Sequence, residues 1–251
     1  ISAFANIKNN LKVFNENLEL IQNNNSLGYQ GSTSDATVAT FTANGNLAAS
    51  SINSSLTVSS LATAHTLTGP SLASHSTAVG ARTITITNGT WSADPTQGGG
   101  QTHTSNGQDV ISVTTTSTTT LAQLRDMINN AATDSDDDGQ KDVSASILYD
   151  GSNYMLALKS EFGTSNEMKV TDNHGSSPLY AYDTTNGARM TQRVAGTDSS
   201  FTVDGVSMTR SSNSIDDLFN GMTLELLKSS GSPITIKSDV DLASARDAIT
   251  S

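Results

Sequence analysis

The sequence predicts an α+β fold, mainly antiparallel β, led by an N-terminal helix of coiled-coil type. Three observations predict it. Apolar residues alternate with polar ones beside Asp150-Gly151 and Asp204-Gly205, the combination of strand and tight turn that makes a hairpin. Only 35% of the 251 residues are hydrophobic and 5% aromatic, while Gly, Ser, Thr and Asn abound, a balance that suits strands joined by many turns. The opening segment alone carries a heptad.

In that segment Phe4, Leu11 and Leu18 recur at a spacing of seven, and Ile7, Phe14 and Ile21 form a second such series, with Ile1 nearby. The interleaved series make a narrow apolar seam on a helix. Such a helix either packs on its own domain or forms half of a paired stalk. The second reading is preferred, because no matching heptad occurs elsewhere in the chain. Asn23 to Asn46, polar and rich in Gly, Ser and Thr, is expected to be an extended connection. Strand-like patterns follow at Leu56 to Leu67, Arg82 to Thr87 and Asp109 to Thr116. Between the last two, Gly89 to Gly107 holds Trp91, Pro95 and three consecutive glycines and is expected to be a long loop.

Leu121 to Ala132 is the clearest internal helix. Thr119 or Thr120 caps it, and Leu121, Leu124, Met127, Ile128 and Ala131 make one apolar face. The preceding Thr-rich run, Thr114 to Thr120, offers hydroxyls for glycosylation but reads better as a strand end and helix cap. Strands are expected at Val143 to Tyr149 and Tyr154 to Lys159, joined at Asp150-Gly151, and around Met168. Asn173 to Gly187, with Pro178, Tyr180 and Tyr182, is expected to be a second loop. Phe201 and Val203 lead through Asp204-Gly205 to Val206 and Met208. Asn213 or Ser214 then caps a predicted short helix, in which Ile215, Leu218 and Phe219 stand at helical spacing and Gly221 ends it. Thr223, Leu224, Leu226 and Leu227 form a further strand, residues around Ile234 the last one, and the segment from Asp241 begins a second helix.

The net charge of −11 argues against nucleic acid and against adhesion to anionic lipid. No apolar run reaches the length of a membrane span. Cysteine is absent, so neither disulfides nor thiolate metal sites are available. The opening residues, with Lys8, Lys12, Glu16 and Glu19 at intervals, are no secretory signal peptide. The chain starts without Met and inside a helical pattern, so it is expected to be a segment of a longer protein.

His65, His75, His103 and His174 lie in different elements without ligand spacing, and motifs for a nucleophilic serine or a phosphate loop are absent. The expectation is therefore no catalytic site and no required cofactor. One segment stands apart. Asp134, Asp136 and Asp138 precede Gly139, and Asp142 follows at the ninth position, as in the opening half of a calcium loop. The twelfth position is Ala145, where such a loop supplies a bidentate glutamate, and a strand follows where a helix would be expected. The segment is thus either a solvated acidic turn or a weak calcium site.

The wording of Thr202-Val-Asp-Gly205, Thr209-Arg-Ser-Ser-Asn-Ser-Ile-Asp-Asp217 and Gly221-Met-Thr-Leu-Glu-Leu226 resembles the head region of bacterial flagellar filament cap proteins, the type-2 hook-associated proteins. The helix and strand pair from Thr120 to Ser160 resembles a unit shared by flagellar cap and flagellin-type proteins. Leu56 to Leu67 is similar to the strand by which the cap family enters its head. Together with the heptad, these pieces cover most of the chain in the family's order. The resemblance implies a leg at 1–45, an inner β-rich head domain at 46–80 and 190–240, an outer head domain inserted at 81–189, and a returning leg from 241–251. Phe4, Ile7, Leu11, Phe14, Leu18 and Ile21 would then pack the leg.

The resemblance further implies a structural protein, not an enzyme, that forms a homo-oligomeric ring at the filament tip outside the cell. There it would guide flagellin insertion and prevent loss of unpolymerised flagellin. It also admits host glycan or mucin as a partner. The alternatives are another flagellar axial component, of flagellin or hook-filament junction type, and a secreted adhesin-like calcium-binding module.

Overall fold

The structure is a computed structural model that describes residues 2–23, 29–44, 50–94, 100–135, 137, 139–174, 179–183 and 189–240, without the side chains of 2, 10, 16–23, 94 and 100. In chain order the elements begin α1 (Ser2–Asn23), β1 (Tyr29–Thr33), β2 (Ala39–Ala43), β3 (Ile52–Ser60), β4 (Ala64–Thr68), β5 (Thr83–Asp94), β6 (Gly100–Ser105), β7 (Ile111–Thr114) and α2 (Leu121–Ala131). They continue β8 (Val143–Tyr149), β9 (Tyr154–Phe162), β10 (Glu167–Asp172), β11 (Thr191–Val194), β12 (Ser199–Val203), β13 (Val206–Arg210), β14 (Ser214–Phe219), β15 (Met222–Leu226) and β16 (Ile234–Val240). The fold is mainly antiparallel β, as the alternating patterns predict.

Two compact units divide the chain. The first comprises residues 1–61, 200–209 and 213–251; the second, 62–199 with 210–212. Residues 62–80, 190–199 and 210–212, assigned to the inner domain on the family resemblance, group with the second unit. Residues 241–251, expected to begin a returning helix, lie outside the described residues.

The first unit contains two sheets over one core. Its five-stranded sheet runs β1-β16-β3-β12-β13 and its three-stranded sheet β14-β15-β2. Period-2 alternation turns Leu56, Val58, Phe201, Val203, Ile234 and Ile236 inward from the larger sheet. Ala39, Phe41, Ile215, Met222, Leu224 and Leu226 come in from the smaller, and the two sets share one buried cluster. The β12–β13 turn is made by Asp204 and Gly205, both at positive φ (51° and 82°), the conformation a two-residue hairpin of this twist requires. The Asp204 carboxylate accepts the Ser55 N–H at 2.8 Å, which ties the turn to β3.

In the second unit the long strand β5 is shared. β10 pairs along one edge, while β7 and then β6 pair in succession along the other. A second sheet runs β11-β4-β9-β8. Ile84, Ile86, Ile111, Val113, Met168 and Val170 of the first sheet meet Leu67, Val143, Leu156 and Leu158 of the second, and Leu121, Leu124 and Ile128 of α2 join the same core. Each such burial contributes about 2 kcal/mol. A reciprocal capping box starts α2: the Thr120 hydroxyl accepts the Gln123 N–H and the Gln123 carboxamide accepts the Thr120 N–H. At the other end the Lys141 ammonium donates to the Asn129 and Ala132 carbonyls, supplying charge where the helix dipole favours a cation. The hairpin turn at Asp150 spans four residues, with the Asp150 carboxylate accepting the Ser152 and Asn153 N–H groups.

Three expectations are corrected. The predicted short helix after Asn213 is strand β14, paired with β15 through Ser214↔Glu225 and Ile215↔Leu224. A spacing of four separates Ile215 from Phe219, and four satisfies a helical period and a strand period equally. Gly89 to Gly107 is not one long loop. β5 continues to Asp94 and returns as β6, with Trp91 opposite His103. A Cβ at Gly89 would overlap the Thr104 carbonyl, so that glycine permits the close approach of the two strands. Asn23 to Asn46, expected to be a connection, contains β1 and β2, in which Ala39 and Phe41 point inward between threonines.

Candidate functional site

Three places in the described structure are candidates for a functional role: the seam of α1, the acidic turn after α2, and a ring-nitrogen cluster in the second unit. On α1 the heptad residues Phe4, Ile7, Leu11 and Phe14 are 74%, 59%, 61% and 47% exposed, and Val13 beside them 46%. Large apolar side chains held in water at this spacing form an open seam. The side chains of Leu18 and Ile21, predicted to continue it, lie outside the described residues. No described helix is long and apolar enough to cross a membrane.

At the acidic turn, Asp136 and Asp138 lie outside the described residues. Asp134 accepts the Gly139 N–H at 2.9 Å. Asp142 turns inward and is completely buried. One of its carboxylate oxygens accepts the Ser135 N–H (3.0 Å) and the Gln108 amide (3.2 Å); the other accepts the Thr133 and Ser135 hydroxyls. The Gln108 side chain extends this network to Asn88, Asn106 and Glu161. Among the described residues no group of three or more His, Cys, Asp or Glu stands close enough to hold a metal ion.

The third place was not legible as a site. His75 and His174 are exposed, whereas His65 is completely buried and His103 partly so. His65 Nδ1 accepts the Met168 N–H at 2.8 Å, His103 Nε2 lies 2.9 Å from the Glu167 carbonyl, and Trp91 Nε1 donates to the Met168 carbonyl at 3.3 Å. Three ring nitrogens thus engage two consecutive residues at the start of β10. Tyr182 packs edge-on against both His65 and Trp91. Burial, with His103 adding repulsion, pushes the His65 imidazole down to about 4, and burial also holds His103 below its ordinary value. Residues 65, 91, 103, 168 and 182 are remote in sequence, so no local spacing marks them.

Residues 196–251 match the family model described as the flagellar hook-associated protein 2 C-terminus. Flagellar hook-associated protein 2 of Salmonella typhimurium is 34% identical over 137 residues, which cover 53% of this chain and 27% of that protein. The match therefore spans about a quarter of the curated relative. Among solved structures, the D1-D2-D3 domains of the flagellar cap protein FliD from Escherichia coli align over 100% of this chain and 66% of that one, at 26% identity with a TM-score of 0.72. The D2-D3 domains of the Serratia marcescens cap protein align over 81% of this chain and 98% of that one, at 27% identity with a TM-score of 0.62. In sequence and in fold alike, the chain is similar to the flagellar cap proteins, the type-2 hook-associated proteins.

Proposed function

We propose that this chain is the head-bearing part of a structural protein that caps the distal end of a bacterial flagellar filament, outside the cell. Several copies assemble into an oligomeric cap, guide arriving flagellin into place and keep unpolymerised flagellin from escaping. The action is steric, with no bond made or broken. The observation that carries this reading is the open seam of Phe4, Ile7, Leu11 and Phe14 on a chain whose relatives are cap proteins. About half or more of each side chain faces water there, a state that helix pairing relieves.

Two measurements test it. Sedimentation of the full-length protein across a concentration series should reveal a closed oligomer. A strain lacking the protein should leak unpolymerised flagellin into the medium. Wild-type protein should stop the leak, whereas a variant carrying Phe4→Ser and Leu11→Ser should stop it poorly. A monomer at every concentration, or a deletion strain that retains its flagellin, overturns the proposal.

A further inference from the structure

We propose that His65 is an acid-sensitive latch between the two sheets of the second unit, closed at neutral pH and forced open when the ring takes up a proton. His65 stands on β4 and the N–H it accepts belongs to Met168 on β10, strands of different sheets. The bond therefore joins elements that no ladder connects. A backbone N–H can only donate, so the Nδ1 facing it at 2.8 Å must offer a lone pair and the ring must be neutral, with its proton on Nε2. Protonation places a second N–H directly against the first. Two donors then face each other, and the bond cannot persist.

Among the described residues no hydrogen bond compensates. His65 is fully buried and its Nε2 has no hydrogen-bond partner there, so an imidazolium would bury two unpaired donors and a charge. The charged and titratable groups on the elements packed around it are His103 on β6, Glu167, Lys169 and Asp172 on β10, Tyr182 and Asp183 beyond it, Tyr154, Lys159 and Glu161 on β9, and Arg193 on β11. Lys169 pairs with Asp183 at 3.5 Å, and Arg193 donates to Thr68. Burial raises the Glu167 carboxyl, which weakens it as a counter-ion in acid. His103 adds repulsion. That second histidine also provides the contrast within the same cluster. Its Nε2 must donate to the Glu167 carbonyl, so a second proton on His103 leaves its own bond intact.

The depressed imidazole value has a definite sign. The open state, near the ordinary 6.5, binds a proton before the closed state does, at about 4. Closure is therefore fully favoured above about pH 6.5 and weakens as pH falls toward 4. The opening equilibrium should rise about 30-fold by pH 5 and on the order of 150-fold by pH 4.

Amide exchange of the whole chain, with each amide corrected for its intrinsic rate, reads this directly. Protection at Met168 should fall by about those factors between pH 7.5 and pH 4. Amides of the β3–β16 ladder in the first unit should keep theirs. Nitrogen-resolved NMR at pH 7.5 should show His65 protonated at Nε2 alone. His65→Gln, which keeps an acceptor but cannot titrate, should flatten the profile, and His103→Gln should preserve it. Should His65→Gln fail to fold, the wild-type exchange and NMR data decide alone. A proton on His65 Nδ1 at neutral pH, a loss at Met168 below about threefold by pH 4, or a transition abolished by His103→Gln and kept by His65→Gln would each overturn the latch.

Discussion

Asp172 concentrates more donors on one carboxylate than the sequence around it suggests. The Arg82 guanidinium reaches it at 2.7 Å with both side chains almost fully buried, and the N–H groups of His174, Leu179 and Tyr180 converge on the same group. Burial raises this carboxyl, but the Leu179, Tyr180, Arg82 and His174 hydrogen bonds together outweigh it and hold the group below its ordinary value. The stability it supplies is thus present above the unfolded carboxylate range and is lost as pH falls through the lower folded value. Arg82→Met should cost about 3 kcal/mol in urea unfolding at pH 7, because it strands a buried anion. Arg82 also donates to the Val79 carbonyl and lies over the Tyr180 ring, so Arg82→Lys should recover only part of that loss. The acidic turn sets a second test at this scale. A carboxylate offers about four lone-pair sites, and on Asp142 protein donors take as many. Melting curves in millimolar calcium and in chelator should therefore coincide. A calcium-dependent rise of several degrees would instead show that the turn rearranges around the ion.

The element scale is where legibility in the sequence divides most sharply. Helix α2 is legible because its signals are local: a threonine, a glutamine three residues on, and apolar residues at one spacing. Both Asp-Gly hairpins are legible for the same reason, since the turn chemistry sits between the strands it joins. β14 is not. Its Ile215 and Phe219 fit either period, and the choice is made by the β15 backbone, to which the local pattern is blind. The β5–β6 hairpin is hidden in a different way, because glycines near Gly100 suggest flexibility while the pairing of Trp91 with His103 depends on a partner strand. The α1 seam could be read as apolar; its exposure could not, since period says which residues share a face and not what covers it. The capping box gives the local case a number. Thr120→Ala should cost about 1 kcal/mol, because it takes the N-cap acceptor from the Gln123 N–H, and Gln123→Ala less, because the Thr120 hydroxyl cap then remains. Thermal unfolding of the second unit measures both. Equal and negligible effects would mean that packing of Leu121, Leu124 and Ile128 holds the helix without its cap.

At the scale of the whole molecule, the two hydrophobic clusters share no residue. One is built from Leu56, Phe201, Leu224 and their neighbours, the other from Leu67, Leu124, Leu156 and theirs. The family resemblance carried an insertion in the plan of the chain, but composition alone could not place the seam at residues 61/62 and 199/200, because Ser- and Thr-rich strands continue across both. The boundary is set by which strands pair: β3 pairs with β12 and β16, whereas β4 pairs with β9 and β11. Separate cores predict separate sensitivity. Leu124→Ala and Leu224→Ala each empty a fully buried site, and each should cost about 3 kcal/mol. Calorimetry should show two transitions, with Leu124→Ala lowering only one and Leu224→Ala only the other. Isotope-labelled exchange would assign which transition belongs to which unit. If either substitution lowered both transitions equally, the insertion would unfold with its host as one cooperative body, and the two clusters would have to be counted as a single core.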